Sequence, residues 1–215
     1  MREFCHNIEP YMQPKPSKNP GGDCFACSLT AILQHLYPEN KPSFDTVWNY
    51  FMQSNYYMSE KKCLSNTWSG MQKAINESHE DGYNLENTTD LVIPKIKDYS
   101  SNIFYESYVD LDYTRRLEGW LRSGWIALTE IHYSGGGPRA TWDSRFNDND
   151  HFIILDGTRE VWEKIDDISV NARRLNFYIH VVCSAKGSYW ISTKELMKNY
   201  GAAGWILVRK SDNDR

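Results

Sequence analysis

The sequence predicts an α+β fold in which an N-terminal helical part packs on a C-terminal antiparallel sheet. Apolar residues recur at helical spacing in the first 100 residues, whereas short apolar runs of strand composition dominate the rest. Helices that precede strands, without regular alternation of the two, are typical of this class. We expect a single domain over 1–215, with a mainly helical lobe at 1–100 and a mainly antiparallel sheet lobe at 101–215.

The helical lobe begins with a proline-rich arm. Prolines at four of the first twenty positions prevent a helix there, and we expect residues 1–20 to run extended across the body. A helix then starts at Asp23 and stops at Pro38, since Leu29, Ile32 and Leu36 share one face. A second helix follows Ser43 as its N-cap, and a third is predicted over 65–78.

The sheet lobe contains several short apolar runs. We predict strands at 102–109, 125–133, 151–155, 177–183 and 205–209, and helices at 111–122 and 192–200. Ser192 and Glu195 have the spacing of a capping box, and Gly201 stands where a C-cap glycine belongs.

Composition excludes several classes of protein. Lys and Arg number 24 against 28 Asp and Glu, and the net charge of −4 lacks the basic excess of a nucleic-acid binder. Mean hydropathy is −0.63, and neither a membrane span nor a signal peptide is visible. Five cysteines, an odd count, favour a reduced cytoplasmic protein. We expect neither nucleic acid nor membrane as a partner, and the oligomeric state stays open.

Two positions have the properties of catalytic groups. Cys24 follows a glycine-bearing loop at a helix start, where free N–H groups and the helix dipole favour a thiolate and donate to an oxyanion. His151 follows a polar loop and begins an apolar strand, which suits a proton-transferring imidazole. A buried structural cysteine and an ordinary surface histidine are the alternatives that these residues leave open.

The sequences around Cys24 and His151 resemble those of a known family. The run CFACSLTAI from Cys24 is similar to the active-site helix of papain-like cysteine peptidases, and DHFIILDG from Asp150 is similar to their histidine strand. The run GWILVR from Gly204 resembles the strand that closes their sheet, and the spacing is nearest to the bacteriocin-leader-processing branch. The resemblance implies a papain-like fold with Cys24 as nucleophile and His151 as general base.

The same resemblance suggests supporting residues, although this chain departs from the family pattern. The family has a Gln about six residues before the cysteine, where this chain has Lys18, so Asn19 and Gln13 become the candidates for binding the oxyanion. The family's Asn or Asp that orients the histidine is also missing from the end of the 177–184 strand. The candidates for that role are Asp156, Asp166, Asp167 and Ser184, and the candidates for lining the cleft are Phe25, His132 and Trp142.

Four other interpretations compete for these residues. A catalytically degenerate papain-like module would bind a peptide or protein without cleaving it, and an isopeptidase or acyltransferase would use the same site differently. The Cys24-x-x-Cys27 pair is also a redox motif, but no strand precedes it. Cys5 and His6 could join that pair as zinc ligands, but adjacent ligands fit poorly. We expect a cysteine hydrolase, foremost a peptidase acting on a peptide or protein substrate, with no metal and no cofactor.

Overall fold

The structure, a computed structural model, describes residues 1–15, 23–53, 57–58, 63–64, 74–90, 103–132, 150–164, 173–200 and 204–212. The strands are β1 (Arg2–Cys5), β2 (Tyr57–Met58), β3 (Cys63–Leu64), β4 (Leu85–Asp90), β5 (Ile126–His132), β6 (Asp150–Lys164), β7 (Arg173–Cys183), β8 (Gly187–Ser192) and β9 (Trp205–Lys210). The helices are α1 (Cys24–Leu36), α2 (Phe44–Gln53), α3 (Ile103–Arg122) and α4 (Thr193–Tyr200), and a helical turn at 74–77 leads into the 3-10 segment Ser78–Asp81.

A seven-stranded antiparallel sheet forms the centre of the molecule. Its strand order is β4-β9-β5-β6-β7-β8, with β1 paired to β6, while β2 and β3 form a separate hairpin. The predicted antiparallel sheet is confirmed. Strands β1 and β4 come from the N-terminal half, so the sheet draws on both halves of the chain rather than on residues after 101 alone.

Two apolar cores lie on the two faces of this sheet. The first core joins α1 and α2 to one face and includes Phe25, Phe51 and Phe152. The second core joins α3 and α4 to the other face and includes Leu117, Ile153 and Cys183. Alternate residues of β6 from Phe152 to Leu155 contribute to the two cores in turn, as expected for a strand buried on both sides. The sheet thus has helices on both faces, not on one.

The predicted N-caps at Ser43 and Ser192 are present, whereas Gly201, predicted as a C-cap, lies outside the described residues. The Ser43 hydroxyl accepts the N–H of Thr46 at 3.1 Å, and the Ser192 hydroxyl accepts the N–H of Glu195 at 3.1 Å. Of the helix predicted over 65–78, the structure describes 74–78, where an α-helical turn passes into the 3-10 segment. None of the described helices combines the length and the apolar character needed to cross a membrane.

The prediction of a strand at 102–109 is wrong, because α3 runs without a break from Ile103 to Arg122. The aromatic and β-branched composition of 102–109 indicated a strand, but the stripe of Tyr113, Leu117 and Leu121 on α3 is fully buried in the second core. Packing of that stripe favours one long helix over the local preference.

The N-terminal arm is extended, as expected, and its first residues join the sheet. Strand β1 pairs with β6 from Arg2 opposite Glu160 to Cys5 opposite Gly157. Farther along the arm, the Gln13 N–H donates to the carbonyl of Ser184 at 3.0 Å, next to the end of β7. The arm therefore passes from the edge of β6 to the end of the neighbouring strand.

Candidate active site

The N-terminus of α1 places the Cys24 sulfur against β6. The helix starts at Cys24, and the carbonyl of Asp23 accepts the Cys27 N–H at 2.9 Å to close the first turn. The Cys24 thiol makes backbone hydrogen bonds with Phe152, Phe25 and its own residue, and all three lower its pKa. Phe152 directly follows His151, but successive side chains of a strand point to opposite faces, so the His151 ring turns toward Cys183 and the second core while Cys24 packs in the first.

The surroundings of Cys24 favour the neutral thiol. Only 5% of the residue is exposed. Burial raises the pKa of the thiol to about 11, the backbone hydrogen bonds oppose this effect, and the Glu130 carboxylate adds to it. A lone thiolate is therefore disfavoured at neutral pH, and a base must remove the proton as the sulfur reacts.

His151 is a buried, neutral base. It pairs with Ile131 of β5, and its Nε2 lies 3.2 Å from the Cys183 sulfur at the end of β7. Burial and, to a smaller extent, the positive charge of Lys186 together lower the pKa of the imidazole to about 4. At neutral pH the ring can therefore accept a proton, which is the state a general base needs.

Cys183 occupies the place beside His151 where the sequence prediction sought an orienting residue. The Ser184 side chain is buried, and no partner for its hydroxyl is found among the described residues. Its backbone carbonyl instead receives the Gln13 N–H, which brings Gln13 to the end of β7 near this pair. The Gln13 backbone, half-buried, therefore lies beside the end of β7, next to Cys183.

Asp156 does not orient His151. Its carboxylate accepts the Ile8 N–H at 2.8 Å and lies 2.5 Å from Nδ1 of a different histidine, His180. The physical reason is strand alternation, which turns position 156 to the face opposite position 151; Asp156 also lies at a β-bulge, where the pairing of β6 with β7 shifts between Leu155 and Gly157. The prediction that Asp156 serves His151 is wrong.

The remaining candidates have different outcomes. Phe25 is buried and contacts Phe51 and Phe152 edge to face, so it packs in the first core rather than lining an open cleft. His132 ends β5 opposite Asp150 in the strand pairing. Asn19, Trp142, Asp166 and Asp167 lie outside the described residues.

Sequence reasoning missed two groups at this site and one elsewhere. Glu130 is 1% exposed and close enough to raise the pKa of Cys24. The sequence feature that could have identified it is a single acidic residue within an apolar strand. The Cys183–His151 contact had a weaker signal, a cysteine where the family resemblance implied an amide or acid. The group of Cys5, Asp156 and His180 had no local signal, since three separate strands supply it.

Comparisons with known proteins add no family assignment. A scan against protein-family models found no match, and a search of curated proteins found no significantly similar sequence.

Proposed function

We propose that this chain is a papain-like cysteine hydrolase that acts on a peptide or protein through Cys24 and His151. The observation that carries the proposal is the position of the Cys24 sulfur. It lies at a helix N-terminus and hydrogen-bonds with the backbone of Phe152, the residue after His151. A thiol nucleophile, a neutral base and converging backbone donors are the parts that acyl transfer needs.

In the proposed first step, neutral His151 takes the thiol proton while the Cys24 sulfur attacks the substrate carbonyl carbon. For this transfer the His151 ring must leave the Cys183 sulfur, which its Nε2 contacts on the second-core face of β6, and turn toward Cys24. The carbonyl oxygen becomes an oxyanion, and the backbone N–H groups of Cys24 and Phe25, with Gln13, stabilise it. The low pKa of His151 and the high pKa of Cys24 favour the neutral thiol and the neutral imidazole over a preformed ion pair.

The second half of the cycle returns every proton. Protonated His151 gives its proton to the leaving amine as the carbon–nitrogen bond breaks, which leaves an acyl group on the Cys24 sulfur. Water then attacks that thioester, His151 takes a proton from the water, and the acid product departs as the thiol is restored. An amine in place of water would make the same site an acyltransferase, and an isopeptide substrate would make it an isopeptidase.

The test measures an acyl-enzyme burst with p-nitrophenyl acetate, an activated ester that reacts without specific recognition of a peptide. We expect one equivalent of nitrophenol per chain and an acetyl group on Cys24 by mass spectrometry of the trapped protein. Cys24→Ala should abolish both, and His151→Asn should slow the burst by about 100-fold or more. Cys27→Ala is the matched control, because Cys27 lies one turn later and is fully buried. A burst that persists unchanged in Cys24→Ala contradicts the proposal.

The burial of the site favours a second candidate, the degenerate module that binds peptides without cleaving them. Both Cys24 and His151 are nearly inaccessible, at 5% and 8% exposure. On this alternative the wild-type chain gives no burst, and Cys24 reacts with iodoacetamide only at the rate of global unfolding. Mass spectrometry of alkylated, folded protein separates the two functions.

A further inference from the structure

A row of three residues crosses three neighbouring strands, five residues along β6 from the Phe152 backbone that Cys24 contacts. Gly157 of β6 pairs with Cys5 of β1 on one side and with His180 of β7 on the other. Residues two strands apart have backbones separated by roughly 10 Å. Because Gly157 has no side chain, the Cys5 sulfur and His180 Nδ1 meet across it at 3.3 Å. A Cβ added at Gly157 would lie 2.9 Å from that sulfur.

The β-bulge adds a carboxylate to this pair. Asp156 is fully buried, and its Oδ1 lies 2.5 Å from His180 Nδ1 and 3.7 Å from the Cys5 sulfur. The Ile8 N–H donates to Oδ2 at 2.8 Å, which fixes the carboxylate with Oδ1 facing the other two atoms. The three atoms all lie within 4.8 Å of one another.

We propose that Cys5, Asp156 and His180 bind a divalent transition-metal ion of the zinc class. A thiolate, an imidazole nitrogen and a carboxylate oxygen are three ligand types that Zn²⁺ accepts, whereas Mg²⁺ and Ca²⁺ prefer oxygen alone. Metal–sulfur and metal–nitrogen bonds of about 2.3 and 2.0 Å in a tetrahedral site separate ligand atoms by about 3.3–3.7 Å. The Cys5 sulfur already has this separation from His180 Nδ1 and from Asp156 Oδ1, at 3.3 and 3.7 Å.

In the proposed site the ion lies between His180 Nδ1 and Asp156 Oδ1, which are 2.5 Å apart without it. In the metal-free protein His180 Nδ1 and Asp156 Oδ1 are within hydrogen-bond distance, and metal binding releases the ring proton together with the thiol proton. The two ligand atoms then separate to about 3.3 Å around the ion. One thiolate and one carboxylate balance the charge of a divalent ion in this partly buried position. Water completes the coordination, since Cys5 and His180 retain some exposure.

This ligand set differs from the one that the sequence spacing suggested. His6 points elsewhere, with Nε2 3.1 Å from the Leu121 carbonyl and 3.2 Å from that of Trp125, and Cys24 and Cys27 belong to the first core. The ligands of the proposed site come from β1, β6 and β7. A bound ion would therefore tie the N-terminal strand to the middle of the sheet.

The test uses Co²⁺ as a spectroscopic probe on the full chain, reduced and freed of metal with a chelator. We expect one Co²⁺ per chain, a thiolate-to-cobalt absorption band in the near ultraviolet, and displacement by one equivalent of Zn²⁺. Cys5→Ser should remove the thiolate band, and His180→Gln should weaken Co²⁺ binding at least about tenfold. Cys183→Ser is the matched control, because its thiol also contacts a histidine but has no acid beside it among the described contacts. A thiolate band that survives Cys5→Ser contradicts the proposal.

A second measurement needs no variant and therefore does not depend on folding of a mutant. Zn²⁺ should slow iodoacetamide labelling of Cys5 in the wild-type chain by tenfold or more, as measured by peptide mass spectrometry. Equal labelling rates with and without Zn²⁺ overturn the assignment. This outcome is independent of the acyl-enzyme experiment, which reports on Cys24 alone.

Discussion

His151 and His180 each lie next to a cysteine, but at neutral pH the His151 imidazole is neutral and the His180 imidazole is positively charged. His151 lies 3.2 Å from the Cys183 sulfur, and His180 lies 3.3 Å from the Cys5 sulfur. Burial lowers the pKa of both rings. For His151 this effect prevails, with help from Lys186, and its pKa is about 4. For His180 the hydrogen bonds and charges of Asp156 and Cys5 outweigh it and raise the pKa to about 10.

The difference follows mainly from one carboxylate, Asp156, whose effect on the charge of His180 is strengthened by Cys5. His180 has the Asp156 carboxylate at 2.5 Å, whereas the charge that acts on His151 is the positive Lys186. An opposite charge at hydrogen-bonding distance favours the charged form of a ring, and desolvation disfavours it. The neutral ring suits a base that accepts a proton. The charged ring suits a structural pair, or a site where a metal ion replaces the proton.

Of the substitutions considered, Asp156→Asn should produce the largest change in the pKa of a histidine and in the free energy of unfolding. Without the carboxylate, burial dominates and the pKa of His180 should fall by about 3 pH units. The change also leaves a buried ring and the Ile8 N–H with a weaker partner, so we expect a loss of roughly 3–5 kcal/mol in the free energy of unfolding. Two-dimensional NMR titration of the histidine rings in EDTA, with urea denaturation, measures both quantities.

The pH dependence of that loss follows from the raised pKa. A histidine whose pKa is higher in the folded than in the unfolded chain stabilises the fold fully below the unfolded value, near 6.5, and loses this contribution as the pH rises through about 10. The stability difference between wild type and Asp156→Asn should therefore shrink from pH 6 to pH 10. Glu163→Gln, an exposed acid on the same strand, is the control. A difference that grows with pH would reject this account.

Much of the fold was predictable from local pattern, and the exceptions have a common cause. The helix from Cys24 and the strand at Trp205–Lys210 follow from apolar periodicity and strand composition, which are properties of neighbouring residues. Strands β1 and β4, with the sequences REFC and LENTTD, lack an apolar run and were not predicted as strands. Backbone pairing with a distant strand holds them in the sheet, and side-chain pattern carries little record of such pairing.

The two candidate sites differ in the same respect: one could be predicted from local sequence, and the other depends on the pairing of distant strands. The position of Cys24 at a helix start was predictable, since a loop, glycines and an apolar stripe are all visible in one stretch of chain. The contacts of Cys5, Asp156 and His180 were not, because they require the exact register of three strands, a bulge at Asp156 and the missing side chain of Gly157. A shift of one residue in any of these strands would point the side chains to the opposite face.

Cys183→Asp should make His151 resemble His180, with a carboxylate beside the ring. An acid at position 183 places an opposite charge beside His151, and its pKa should rise by about 1–3 pH units from its low value. Cys183→Ser supplies a neutral partner of similar size and should leave the pKa below 6.5. NMR titration of the ring measures the change. If both variants titrate alike, the carboxylate does not control the charge of these histidines. On the proposed function, the Asp variant should also acylate faster than the Ser variant.

Lys186→Met should produce the smallest change in the pKa of His151, and it tests how much the positive charge of Lys186 contributes to keeping that ring neutral. Lys186 is exposed in the turn between β7 and β8, and its charge lowers the pKa of His151. Removing that charge should raise the pKa by less than about 1 pH unit, because desolvation remains and solvent screens the exposed group. Raising the ionic strength to about 1 M should reproduce part of this rise in the wild type, since the screening length falls to about 3 Å. Lys164→Met, at the far end of β6, is the control and should leave the titration of His151 unchanged. A rise as large as that in Cys183→Asp would mean that Lys186, rather than burial, keeps the ring neutral.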